Sequence, residues 1–147
     1  MSISIKLSKD EISPDLERIK RKVQHAQPVL RAMGTEIVSI TKRAFTDSAL
    51  RQFSWPAKKS GQPATLIKKG MLLSSIRITA IDNRTVTVGS DRKYAAVHQL
   101  GSAKKKGRGS GIPARPFFPF SKDGKLASFA DRKVRLVVKD KIDRIFV

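Results

Sequence analysis

The chain predicts a single α+β domain spanning residues 1–147. An antiparallel sheet, made of a hairpin plus an edge strand, is expected to pack against amino-terminal and carboxyl-terminal amphipathic helices. Three observations lead there. Apolar residues recur at helical spacing in two long stretches, one near each end, and they alternate with polar residues around a turn in "SSIRITAIDNRTVTVGS". A chain of 147 residues also suits one modest core rather than two. Helices and strands segregated along the chain, rather than alternating, favour α+β over a parallel sheet.

The elements follow in order. Ile3, Ile5 and Leu7 alternate with polar residues, marking a short arm or strand. Ser13–Pro14 starts a helix, with Asp15 and Glu17 suiting the positive end of its dipole and Leu16, Ile19, Val23 and Ala26 on its apolar side. Pro28 must kink or restart it, because proline removes a hydrogen bond inside a helix. Leu30, Met33, Ile37, Ile40, Ala44 and Phe45 then carry a second helical stretch over 28–47.

"RQFSWPAKKSGQPATLIKKG" (51–70) has no period, five basic residues and no acid, and reads as a flexible basic loop. Trp55 within it is either the loop's anchor to the core or an interface anchor. Ile76, Ile78 and Ala80 pair across an "IDNR" turn with Val86 and Val88, and "RKYAAVHQLGS" is a short helix ended by Gly101 in a left-handed cap. A second basic loop covers 102–111.

"GIPARPFFPF" (111–120) carries three prolines and three phenylalanines around Arg115. Proline is confined largely to edge strands and bulges, so 112–120 is expected to be the sheet edge, with the N–H groups of Arg115 and Phe117 turned to a neighbour. A final amphipathic helix runs from Asp123 to Arg144, through Leu126, Phe129, Ala130, Val134, Val137 and Val138.

Charge is the strongest compositional signal. Thirty-one Lys and Arg against twelve Asp and Glu give +19, which favours nucleic acid, an acidic protein surface or a membrane as company. A hydrophobic share of 39% suggests that part of the chain orders only on assembly. No run approaches the length of a membrane-spanning helix, and the amino terminus lacks the pattern of a secretion signal. Zero cysteines exclude a disulfide or a thiolate zinc site within the chain.

The search for catalytic chemistry finds little. His25 and His98 lie on different elements, and neither has a second histidine or a carboxylate at ligand spacing. Ser90, Asp91 and His98 are the residue types of a hydrolase triad, but no nucleophile-elbow pattern surrounds the serine. "GRGSG" lacks the lysine of a phosphate-binding loop. No catalytic residue, metal or cofactor is expected. Lys58, Lys59, Lys68, Lys69, Lys104, Lys105, Lys106 and Arg108 are the candidates for polyanion contact, each neutralised phosphate adding to salt sensitivity. A basic nucleic-acid-binding module is therefore the alternative reading, although no helix-turn-helix, zinc finger or aromatic RNA-binding motif is visible.

Taken in order, "SWPAKKSGQPATLIKKGMLLSSI", "VTVGSDRKYAAVHQLG" and "IPARPFF" resemble the phage virion morphogenesis family of Mu-like and other contractile-tailed phages. The resemblance covers roughly residues 30–120. It implies a non-enzymatic α+β subunit acting in tail completion or head–tail joining. Such a subunit assembles with copies of itself into a ring, for example a hexamer, at the head-proximal end of the tail. Its partners are then the tail tube and head connector proteins, with non-specific DNA contact as a further option and no membrane. The host cytoplasm followed by the virion is the implied location.

Cyclic assembly uses a head-to-tail contact between unlike patches. Trp55, Ile112, Arg115, Phe117, Phe118 and Phe120 are the interface candidates, by strand addition or side-chain packing. Gly89 and Gly101 are expected to serve turns, and Tyr94 and His98 to pack beneath the edge. Arg115 either pairs with a neighbouring subunit's carboxylate or forms an intrachain salt bridge. The first role predicts that Arg115→Ala weakens assembly in a folded monomer. Deleting residues 103–110 is expected to leave the circular dichroism spectrum and melting temperature unchanged while blocking tail completion. Normal infectious particles from that deletion would refute the loop's role in assembly.

Overall fold

A computed structural model describes residues 3–6, 26–103, 111–121 and 123–146. The expected helix start at Ser13, His25, and Lys104, Lys105, Lys106 and Arg108 of the second basic loop lie outside them. Three strands form one antiparallel sheet: β1 (Ile3–Lys6), β2 (Arg77–Ile81) and β3 (Val86–Ser90), in the order β1-β3-β2. Two long helices, α1 (Gln27–Arg43) and α4 (Ser128–Phe146), pack against one another, and α1 also packs against β2 and β3. Short helices α2 (Met71–Ser75) and α3 (Ala95–Leu100) flank the hairpin. The α+β class and the antiparallel hairpin are as the sequence predicts.

Pro28 begins α1 rather than kinking it, sitting in the first turn where no N–H is missed. Val29, Leu30, Met33, Ile37 and Ile40 are buried along one stripe, and Lys42 and Arg43 in the last turn suit the negative end of the helix. Arg51 completes this end from outside. Its Nε donates to the Ala44 carbonyl at 2.7 Å and its Nη2 to that of Phe45 at 3.1 Å, and the guanidinium lies 3.7 Å over the Trp55 ring.

The hairpin turn depends on Asp82. Its Oδ1 accepts from the N–H of Arg84 at 2.7 Å and of Thr85 at 2.8 Å, and its Oδ2 from the Thr85 hydroxyl at 2.6 Å. Between Ile78 and Ala80 the register shifts by one residue, a β-bulge on the outer strand. Val86, Val88 and Ser90 of β3 are buried. β1 pairs with the other side of β3, from Ile3 opposite Ser90 to Lys6 opposite Thr87.

Two expectations are corrected. The third strand of the sheet is β1, not the proline-rich segment: residues 112–120 form no strand, and only Phe120 makes an isolated bridge, to Leu126. Prolines 116 and 119 are buried instead of edging the sheet. The last helix starts at Ser128, not Asp123, because Gly124 takes φ +78° in a turn closed by the Ser121 N–H on the Lys125 carbonyl at 2.8 Å.

Gly34 is where α1 comes closest to the sheet. A Cβ there would lie 2.6 Å from Val86 Cγ2 and 2.9 Å from Ile78 Cδ1. Val86 is β-branched and buried, so it has little room to yield. Gly34→Ala is expected to destabilise the domain by about 1–3 kcal/mol through overpacking, read as a lower urea midpoint. An unchanged midpoint would show that the sheet moves away freely.

Candidate functional site: a cationic cleft built on residues 98–118

The segment 112–120 is irregular and mostly buried, so its backbone polar groups need partners that no strand supplies. Helix α3 provides them. The Arg115 N–H donates to the His98 carbonyl at 2.7 Å. Gln99, itself buried, accepts with Oε1 from the N–H groups of both Phe117 and Phe118, each at 3.0 Å, and donates from Nε2 to the Phe118 carbonyl at 3.4 Å. Trp55 Nε1 donates to the Pro116 carbonyl at 2.9 Å, and the Ala127 N–H to that of Pro119 at 2.8 Å. At positions 116 and 119, proline leaves no N–H to satisfy.

Gly101 joins the same contact. It has φ +74° and ψ 173°, so it is not the left-handed helical cap expected but an extended conformation open essentially to glycine. A Cβ there would lie 2.9 Å from both the Ala114 nitrogen and the Ile112 oxygen. The residues His98, Gln99 and Gly101 thus dock the stretch from Ile112 to Phe118, two sequence motifs acting as one joint.

Phe117 and Phe118 enter the core, where Phe117 stacks at a tilt on Phe45 (5.3 Å) and on Phe118 (4.8 Å). Trp55 meets Phe45 edge-on at 6.0 Å and is 8% exposed. Within the chain Trp55 anchors its loop to the core. Arg115 is buried at 8% exposure and pairs with no carboxylate among the described residues. Its Nε and Nη2 donate to the carbonyls of Pro56 and Ala57 at 2.8 and 2.9 Å. In place of the expected intrachain salt bridge, Arg115 forms an intrachain clamp on carbonyls. Stretch 51–70 is irregular, as its composition predicts, yet anchored through Trp55, Arg51 and the clamped carbonyls.

These contacts create a cleft of about 680 Å³ between the 58–72 stretch and α3. Among the described residues, Lys58, Lys68, Lys69 and Arg115 contribute four cationic side chains to its lining, and no Asp or Glu lines it. Leu66, Met71 and Tyr94 supply apolar and aromatic surface. Leu66 adopts φ 56°, the only positive φ outside glycine among the described residues, a conformation that costs on the order of 1 kcal/mol and is held by its packing against the core. Tyr94 stands edge-on to His98 at 6.0 Å. Burial first, and then the Arg115 charge, hold the His98 imidazole below its ordinary value, and its Nδ1 is buried without a partner among the described residues.

The family profile for phage virion morphogenesis matches residues 7–131, the greater part of the chain. The chain belongs to the phage virion morphogenesis family. It is also 32% identical over 107 residues to the Mu-like prophage FluMu G protein 2 of Haemophilus influenzae, covering 73% of this chain and 75% of that protein. No solved structure matches. The function of this family member accordingly lies in building the phage particle. No helix among the described residues is long and apolar enough to cross a membrane.

Other sequence candidates fall as follows in this morphogenesis protein. Ile112 is exposed, Phe120 is partly buried against the core, and Lys59 is exposed in the turn next to the cleft. Ser90 is buried, its hydroxyl 2.6 Å from that of Ser75 and 3.1 Å from the Arg92 N–H that donates to it. Asp91 pairs with Arg77 and Arg92 instead of His98. Ser90, Asp91 and His98 are not assembled into a triad. No group of three or more His, Asp or Glu suited to a metal occurs among the described residues. Gln99 and Arg51 are the residues whose roles sequence reasoning missed; "HQLG" marked the place of Gln99 but not its work.

Gln99→Leu would keep size and strand two buried N–H groups, with an expected loss of about 2–4 kcal/mol in urea unfolding. A loss under half a kcal/mol would mean that water replaces the amide. For Arg115→Ala the intrachain clamp now predicts a loss of about 1–3 kcal/mol in the monomer itself. Weakened assembly at unchanged monomer stability would restore the intersubunit role.

Proposed function

We propose that this protein is a non-catalytic structural subunit of tail completion or head–tail joining. It assembles with copies of itself into a ring at the head-proximal end of the tail. There it ends tail-tube growth and offers a docking face to the head connector. The observation that carries this reading is the family match over residues 7–131, which contains every segment that builds the cleft and its supporting joint. Exposed apolar residues agree with an assembling surface: Leu100 (58% exposed), Ile112, Met71 and Tyr94 lie on or beside α3 and the cleft.

Native mass spectrometry and sedimentation at low and high salt, with and without duplex DNA, test the proposal. A discrete ring that survives high salt and ignores DNA is the expected result. Tight duplex binding that persists at physiological salt, without a protein ring, would replace it with the nucleic-acid-binding reading.

A further inference from the structure

Among the described residues, no carboxylate answers the positive charge of the cleft. Lys58, Lys68, Lys69 and Arg115 have no carboxylate partner among the described residues, and Arg115 spends two of its donors on neutral carbonyls. The described acids are mostly engaged elsewhere. Glu36 pairs with Arg43, Asp91 with Arg77 and Arg92, Asp131 with Arg135 and Asp140 with Arg144. Asp47 and Asp82 hold local turns.

The sequence holds one dense acidic stretch. "DEISPDLE", residues 10–17, contains four of the chain's twelve acids and no Lys or Arg. It also carries Ile12 and Leu16, and the cleft offers Leu66, Met71 and Tyr94 beside its cations. We propose that the cleft receives the 10–17 segment of a second copy of this chain, carboxylates against Lys58, Lys68 and Lys69 and apolar side chains against Met71 and Tyr94. The proposal deepens the self-assembly reading above and rests on it for the supply of neighbouring copies.

Direction along the sheet favours a second copy over the same one. β1 runs antiparallel to β3, with Ile3 opposite Ser90 and Lys6 opposite Thr87. At Lys6 the chain is therefore heading for the Val86 end of β3. The cleft adjoins the opposite end, where Ser90 leads into Tyr94 and α3. A contact of this kind also resolves a difficulty of charge. Copies bearing +19 repel one another, and a ring needs local complementarity strong enough to overcome that.

Fluorescence anisotropy with a labelled, end-capped peptide of residues 10–17 tests this directly. The receptor is the full chain carrying Asp10→Asn, Glu11→Gln, Asp15→Asn and Glu17→Gln, so that its own segment does not compete. Saturable binding is expected, weakened about tenfold or more when Lys68→Glu and Lys69→Glu are added. The exposed α4 pair Arg132→Glu and Lys139→Glu serves as a control of equal charge change and is expected to weaken it far less. No binding at low salt overturns the proposal. So does equal binding of a scrambled peptide, or an equal loss in the α4 control, either of which marks unspecific charge attraction.

The mass of the unmodified chain judges the assembly reading separately. A ring that survives Lys68→Glu with Lys69→Glu rejects the cleft contact and keeps the ring. Specific peptide binding by a chain that forms no ring keeps the contact and rejects the ring.

Discussion

The structure depends on satisfying the backbone of one buried, irregular stretch. A strand would have done this with a neighbour's ladder, but two buried prolines at 116 and 119 make a regular ladder impossible. One amide side chain substitutes for it. Gln99 takes the adjacent N–H groups of Phe117 and Phe118 and returns a bond to the Phe118 carbonyl, so three polar groups are settled by one residue. Only with those groups settled can both phenylalanine rings enter the core and stack toward Phe45. Trp55 and Arg115 then attach the 51–70 stretch to the same segment from the outside.

Much of this fold is legible in the sequence because its elements have strong periods. The stripe from Val29 to Ile40 and the alternation around Asp82 each admit one regular structure. The segment 112–120 was harder because a missing N–H carries the same signature at a sheet edge and in a buried loop. Adjacent Phe117 and Phe118 are the discriminating clue: successive strand residues face opposite sides, so two buried neighbours argue against a one-sided edge. The start of α4 was misplaced because Leu126 fits the helical stripe, whereas it bridges to Phe120 across the Gly124 turn.

The site was legible as a set of motifs and illegible as a geometry. Of the interface candidates, Trp55, Phe117 and Phe118 belong to the chain's own core, while Lys58, Lys68 and Lys69, read from charge alone, line the cleft. The motif around Gln99 marks its place but not its role, since a glutamine on a short helix next to a glycine resembles any solvated polar residue. What distinguishes it is the partner segment nearly twenty positions away, and such long-range hydrogen bonding leaves no local trace in a single sequence.

Both walls of the cleft are secured to the same short segment. The α3 wall is held through His98 and Gln99, and the facing loop through the Arg115 bonds to Pro56 and Ala57. The gap between them is thus set by a stiff spacer rather than by two independently moving parts. A molecule entering this cleft meets a socket already shaped, so the loss of conformational freedom on binding falls on the entrant and not on the host. That arrangement suits growth of an ordered particle, in which each bound subunit must present the next one with an unchanged receiving surface.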